Sequence, residues 1–175
     1  MKQDGDLDRV LAAISDCSCH LQVLIVPGGG SFADAVRAID ARVGLSDDTA
    51  HWMAIRAMDQ YANVIADRMP GCVLVSDLPE IEAALTAGRI PVLMPYRWLR
   101  DADPLPHSWD VTSDSISAWV AGALGAGRLV LVKPSGASGA DLVDPYFARA
   151  LPAGVSSDVV AADRLDALAS LLGAG

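Results

Sequence analysis

The sequence predicts an α/β domain of three layers, with helices on both faces of a mostly parallel, open sheet. Three observations carry that expectation. Apolar runs of strand length alternate with longer segments of helical period, the pattern of a chain whose parallel strands are joined by crossover helices. Hydrophobic residues make up 52% of the chain, enough for a sizeable core. The length of 175 residues suits one domain rather than two, so residues 1–175 are read as a single unit.

The elements follow in order. Leu7 to Ile14 reads as a short helix with Leu7, Val10, Leu11 and Ile14 on one face, and Val23 to Val26 as a strand ended by Pro27 and three glycines. Ser31 to Val43 is helical, with Phe32, Val36 and Ile39 sharing a face and Gly44 closing it. Ser46 caps a long helix from Asp47 to Met69, whose apolar stripe falls at Ala50, Met53 or Ala54, Ala57 or Met58, and Tyr61 to Ile65. Cys72 to Val75 and Ile90 to Met94 are strands on either side of a helix, Pro79 to Ala87, that has proline in its first turn. Pro95 to Asp110 reads as a long proline-punctuated loop, and long loops in compact domains tend to carry function. Ser113 to Leu124 is a helix, Arg128 to Val132 a strand, and Pro134 to Asp144 a Gly/Ser-rich loop. Val159 to Ala161 and Arg164 to Leu172 complete the chain as a weak strand and a final helix.

Charge and composition exclude several classes of function. With 20 Asp and 2 Glu against 11 Arg and 2 Lys, the formal charge of -9 repels a nucleic-acid backbone from the average surface. The longest apolar stretches fall far short of the ~20 residues of a membrane helix, so no membrane partner is expected. Met1 to Arg9 holds no apolar signal region and three cysteines cannot complete a disulfide framework, which points to a reducing cytoplasm. Cys17-Ser18-Cys19-His20 matches no standard zinc spacing, and no metal ligands are assigned.

Three constellations suit chemistry. Val23 to Val26 runs through Pro27 into Gly28, Gly29, Gly30 and Ser31 at a helix start, where free main-chain amides and the positive end of the helix dipole form an anion cradle. It is neither a Walker loop nor a dinucleotide fingerprint, and a plain strand-to-helix turn is the simpler alternative. His107-Ser108-Trp109-Asp110-Val111-Thr112-Ser113-Asp114-Ser115 opens the next apolar helix; capping by Ser113 or Thr112 accounts for part of it, and a carboxylate there can also orient cationic groups around phosphates. Lys133, at the carboxyl end of a strand, is placed either to neutralise phosphoryl oxygens or to be solvated. His51 and Asp59 lie eight residues apart on the long helix, where a partly buried structural histidine is the ordinary reading.

On these residues the chain resembles the amino acid kinase superfamily. It looks most like the kinases of archaea and methylotrophs that act on an aminomethylfuran-methyl phosphate in methanofuran-type cofactor synthesis. The resemblance runs through Val26-Pro27-Gly28-Gly29-Gly30-Ser31-Phe32-Ala33-Asp34, Thr49-Ala50-His51 with Met58-Asp59, Ser108 to Ser115, and Leu131-Val132-Lys133, with a weaker echo at Leu142-Val143-Asp144. It implies an open parallel sheet of about eight strands and transfer of the γ-phosphoryl group of ATP, as Mg-ATP, to a small-molecule acceptor. Residue by residue, Gly28, Gly29 and Gly30 match the family's phosphate-contacting glycines, with Ser31 beside them. Asp114 matches the aspartate that orders catalytic lysines, and Lys133 matches a nucleotide-side lysine loosely. His51, Trp109 and Ser113 would face the acceptor, in a pocket between the long helix and the loop Pro95 to Asp110.

The chain departs from the pattern at its start. Family members open with a strand followed by Lys-x-Gly-Gly-Ser, whereas Met1-Lys2-Gln3-Asp4-Gly5-Asp6 leads directly into a helix. The expectation is therefore this fold without its first strand, because either the start lies upstream or the strand is lost. The sheet edges left unpaired favour a homo-oligomer. The reading is an ATP-dependent kinase acting on a small phosphate monoester, foremost the furan phosphate, to give a diphosphate. The alternative is a catalytically impaired member of the fold that binds nucleotide or oxyanion.

Overall fold

A computed structural model of the chain describes residues 2–17, 21–138 and 142–173. The elements are α1 (Lys2–Cys17), α2 (Gly30–Val43), α3 (Asp47–Arg68), β1 (Cys72–Val75), α4 (Leu78–Thr86), β2 (Ile90–Leu93), α5 (Tyr96–Ala102), α6 (Ser113–Ala123), β3 (Arg128–Lys133), α7 (Phe147–Ala150), β4 (Ser156–Ala161) and α8 (Leu165–Gly173). Short side chains set several of these boundaries. Ser46 Oγ accepts the Thr49 amide at the start of α3, and Asp77 accepts the Glu80 amide at 3.0 Å at the start of α4, where Pro79 occupies the first turn.

All pairings among the described residues are parallel. β1 pairs with β2 from Cys72 opposite Ile90 to Val75 opposite Leu93, and β3 pairs with β4 from Arg128 opposite Ser156 to Lys133 opposite Ala161. Alternation along β2 sends successive side chains to opposite faces. Val92 packs with Leu11 of α1 and Ala62 and Ile65 of α3, whereas Leu93 packs with Ile81 and Ala84 of α4 and Ile116 of α6. Helices therefore cover both faces, giving the expected three layers.

The predicted strand Val23 to Val26 is reduced to one parallel bridge. Ile25 donates to Pro91 O and accepts from Leu93 N, both at 2.9 Å, and no ladder extends from there. The sheet is thus in two halves among the described residues. Between them lies a cavity of about 1340 Å3 that residues 21–26 line on one side and the whole of β3 on the other. The apolar run at 23–26 therefore lies beside β2 but pairs with it only around Ile25, and it is not a named strand.

Two further expectations are corrected. The stretch Pro95 to Asp110 is not wholly loop, because α5 occupies Tyr96–Ala102. Pro95 stands at its N-cap, a position where proline's missing amide costs nothing, and Asp103 ends it in a left-handed conformation at φ 42°. The buried stripe of α3 is also wider than a single face. It includes His51, Trp52 and Ile55 rather than Met53 or Ala54, because this helix packs against two core clusters and α2. The four-residue α7 was not anticipated. Cys19 and His20 lie outside the described residues. No helix among the described residues is long and apolar enough to cross a membrane.

Candidate active site

The glycine run turns the chain from the Ile25 bridge into α2. Gly29 is the N-cap and offers no side-chain cap, and the first intrahelical bond is Ala33 N to Gly29 O at 3.1 Å. The amides of residues 30–32 precede that bond, so they are free of the helical ladder. The glycines are required by contact as well as by conformation. A Cβ on Gly29 would stand 2.5 Å from Ala33 Cβ. Gly30 has φ +51°, and a Cβ there would stand 2.6 Å from the Tyr61 ring. At Gly28 a Cβ would lie 3.5 Å from Ser113 Oγ, so the glycine turn and the start of α6 are neighbours.

At α6, Thr112 is the N-cap and Asp114 points away from its own helix toward β3. Lys133 Nζ donates to both carboxylate oxygens of Asp114, at 2.6 and 2.7 Å, and the Asp144 main-chain amide donates to Asp114 Oδ2 at 3.1 Å. Asp114 is only 7% exposed, so its charge is held by this pair and not by water. Beneath it, Asp144 accepts the Thr112 and Ser115 amides at 2.8 and 3.0 Å, both of their hydroxyls, and the Tyr146 amide at 3.1 Å. Burial pushes the Asp144 carboxyl up, but the bonds from Ser115 and Thr112 together outweigh it and hold the group below the usual carboxylate range.

The cavity joins these parts. Gly28, Gly29, Gly30, His51, Trp109, Ser113, Asp114 and Lys133 all line it, whereas Ser31 lies on the exposed outer side of the first turn of α2. Trp109 is tied to α2 by its indole N–H, which donates to Asp40 Oδ2 at 2.7 Å, and Arg37 lies 4.9 Å over its ring. His51 stacks on His107 at 4.2 Å between ring centroids. His107 is held in turn between Asp48 and Asp103, each 2.9 Å from a ring nitrogen. Burial, with the neighbouring His107 second, lowers His51 to about 4.

The space between α3 and residues 95–110 is largely filled. Leu99 and Leu105 belong to the core there, and the Tyr96 ring meets Trp52 edge-on at 6.0 Å. The open volume is bordered by His51 and by Ser108 and Trp109 at the end of that stretch, together with residues of α2 and β3. Asp59 does not act with His51. It accepts the Tyr96 amide at 3.1 Å, and burial raises its pKa.

Sequence reasoning gave Asp144 only as a weak echo, although it organises the start of α6; a residue 29 to 32 positions downstream in a Gly/Ser-rich loop leaves no local signal. Asp6 was missed for the same reason: it takes the Ser135 amide and hydroxyl at 3.1 and 2.7 Å, tying α1 to the turn after β3. Among the described residues no three His, Cys, Asp or Glu side chains are grouped to hold a metal ion.

A parallel α/β sandwich whose glycine turn, helix-start aspartate and strand-end lysine share one cavity is the arrangement of a phosphate-handling domain. The chain belongs to the amino acid kinase family, whose model matches residues 1–135. It is 32% identical over 111 residues to the [5-(aminomethyl)furan-3-yl]methyl phosphate kinase of Methanocaldococcus jannaschii. That match takes in 63% of this chain and 50% of the relative, so the chain spans about half the relative's length.

Proposed function

We propose that this chain carries the phosphoryl-transfer site of an ATP-dependent kinase for a small phosphate monoester. The aminomethylfuran-methyl phosphate named in its relative is the first acceptor to test. The supporting observation is that the glycine turn and the Asp114–Lys133 pair border the same cavity. An acceptor phosphate oxygen attacks the γ-phosphorus, the bond from that phosphorus to the β,γ-bridging oxygen breaks, and the products are ADP and a diphosphate. The amides of residues 30–32, with Gly28 and Gly29, bind the transferring group. Lys133, aimed by Asp114, offsets the charge that builds on the phosphoryl oxygens.

Ser113 and Trp109 stand on the acceptor side of this arrangement, as does His51, which burial keeps neutral at pH 7 and which therefore offers a hydrogen bond rather than a charge. The glycine turn suits polyphosphate because its main-chain amides at the start of α2 are free of the helical ladder and border the cavity. Mg2+ would supply charge neutralisation on the nucleotide phosphates, a role that needs few protein ligands.

A coupled assay of ADP release with the furan phosphate and simpler phosphate monoesters tests the reading. Turnover with one of them supports it, and tight ATP binding without turnover on any acceptor supports a nucleotide-binding member of the fold instead. The same reading places the protein in the cytoplasm. It also makes the chain a homo-oligomer associating through the unpaired strand edges, which sedimentation over a range of concentrations checks.

A further inference from the structure

We infer that Asp144 is the positioning residue of this site: it fixes the direction in which Asp114 presents its carboxylate to Lys133. The inference rests on the kinase reading for its consequence in turnover, but its geometry stands alone. One carboxylate gathers five donors. Its Oδ2 takes the Thr112 amide, the Thr112 hydroxyl and the Ser115 amide, and its Oδ1 takes the Ser115 hydroxyl and the Tyr146 amide. Ser115 is fully buried and Asp144 is 9% exposed, so water cannot replace these bonds.

Residues 112 and 115 flank Asp114, so clamping them sets the backbone from which its side chain leaves. The second contact is direct, because the Asp144 amide donates to Asp114 Oδ2, the oxygen that Lys133 also approaches at 2.7 Å. Asp114 is thereby held from the helix side by residue 144 and from the strand side by Lys133. A helix cap alone would not require that second contact, since Thr112 already serves as N-cap.

An asparagine at 144 keeps the shape but turns one oxygen into an NH2 group. Whichever oxygen is replaced, that donor then faces at least one main-chain amide, Tyr146 on the Oδ1 side or Thr112 and Ser115 on the Oδ2 side. In Asp144→Asn the loop and the start of α6 separate, and Asp114 loses its fixed direction. Displacement by about 1 Å at such a site costs on the order of 100-fold in kcat.

Lysine-selective 13C labelling offers a readout that needs no substrate, because the chain has two lysines, Lys2 and Lys133. In the parent the Lys133 side-chain signal is expected away from that of a free lysine, and Asp114→Asn should move it toward the free value. Folded Asp144→Asn, judged by a cooperative melt, should move the Lys133 signal toward the Asp114→Asn position. Ser115→Ala, which removes one hydroxyl donor, should move it part of the way and decides the matter if Asp144→Asn does not fold. A Lys133 signal unchanged in the folded variant makes Asp144 a structural cap only and overturns the inference. Failure of the parent to turn over any acceptor would remove the kinase reading while leaving the spectral result standing.

Discussion

Lys133 Nζ sits 2.6 and 2.7 Å from the two carboxylate oxygens of Asp114, although the residues come from different elements, the end of β3 and the first turn of α6. Both are mostly buried, the Lys133 side chain 19% exposed and the Asp114 side chain taken alone 10%. Two charges taken out of water stay charged only if each keeps its partner. The pair therefore sets the orientation of one cation at the carboxyl edge of the sheet, where ligands of open α/β sheets collect.

Asp114→Asn should lower turnover by about 100- to 1000-fold, the usual effect of disabling one charge-stabilising contact in a transfer site. The amide can still accept a hydrogen bond from Lys133 but leaves its charge unpaired, so the variant should melt cooperatively at a lower temperature than the parent. ADP release measured beside a thermal melt checks both halves. A folded variant with parental turnover would remove Asp114 from the chemistry.

The glycine turn is tested at residues 29 and 30. At Gly30 any L side chain must adopt φ +51° and displace the Tyr61 ring. Gly30→Ala should cost about 1–3 kcal/mol in urea unfolding. Gly29→Asp adds a negative charge and a Cβ 2.5 Å from Ala33 Cβ at the mouth of the helix amides. It should abolish ATP binding by calorimetry; binding at parental affinity would place the phosphates elsewhere.

What could be read from the residues in order was what local pattern controls. The apolar run at Cys72–Val75 lies between turn formers and is β1 to the residue; Ser46 starts α3 through its hydroxyl, and Gly44 ends α2 in the left-handed conformation that its missing side chain permits. The joint placement of Gly28, Asp114 and Lys133 also followed, because all three stand at the ends or beginnings of elements on one edge of a parallel sheet. What depended on distant partners was not legible. α5 hides behind Pro95, and the bond that fixes its first turn comes from Asp59, 37 residues earlier. The 23–26 run has strand composition, but it meets β2 only around Ile25, and nothing in its own residues marks that restriction.

The anchor of α5 can be measured. Asp59 Oδ1 accepts the Tyr96 amide, and Arg56 lies 3.7 Å over the Tyr96 ring from the same helix. Asp59→Ala should cost about 1–2 kcal/mol of stability through the lost cap. Hydrogen exchange should rise at Tyr96 and its helical neighbours while β1 and β2 keep their protection. Unchanged exchange at Tyr96 would show that core packing of Leu99 alone holds α5.

Stability should fall with acid earlier than carboxylate titration alone predicts, because of His51. Its folded pKa is about 4, lowered from 6.5 first by burial and then by His107, with Asp103 and Asp48 opposing. Above pH 6.5 the ring is neutral in both the folded and the unfolded chain, and the stability is fully present. As pH falls from 6.5 toward 4, the unfolded chain binds a proton that the folded chain refuses, so stability is lost progressively, by about 3 kcal/mol in all. Asp59, whose folded pKa is raised, acts in the opposite sense between 3.8 and its folded value, and Asp144, held low, loses its contribution only below the ordinary carboxylate range. Comparing the parent with His51→Gln cancels those two. Urea midpoints from pH 7 to pH 4.5 should fall more steeply for the parent than for the variant, and parallel slopes would mean that His51 is protonated in the fold or already solvated.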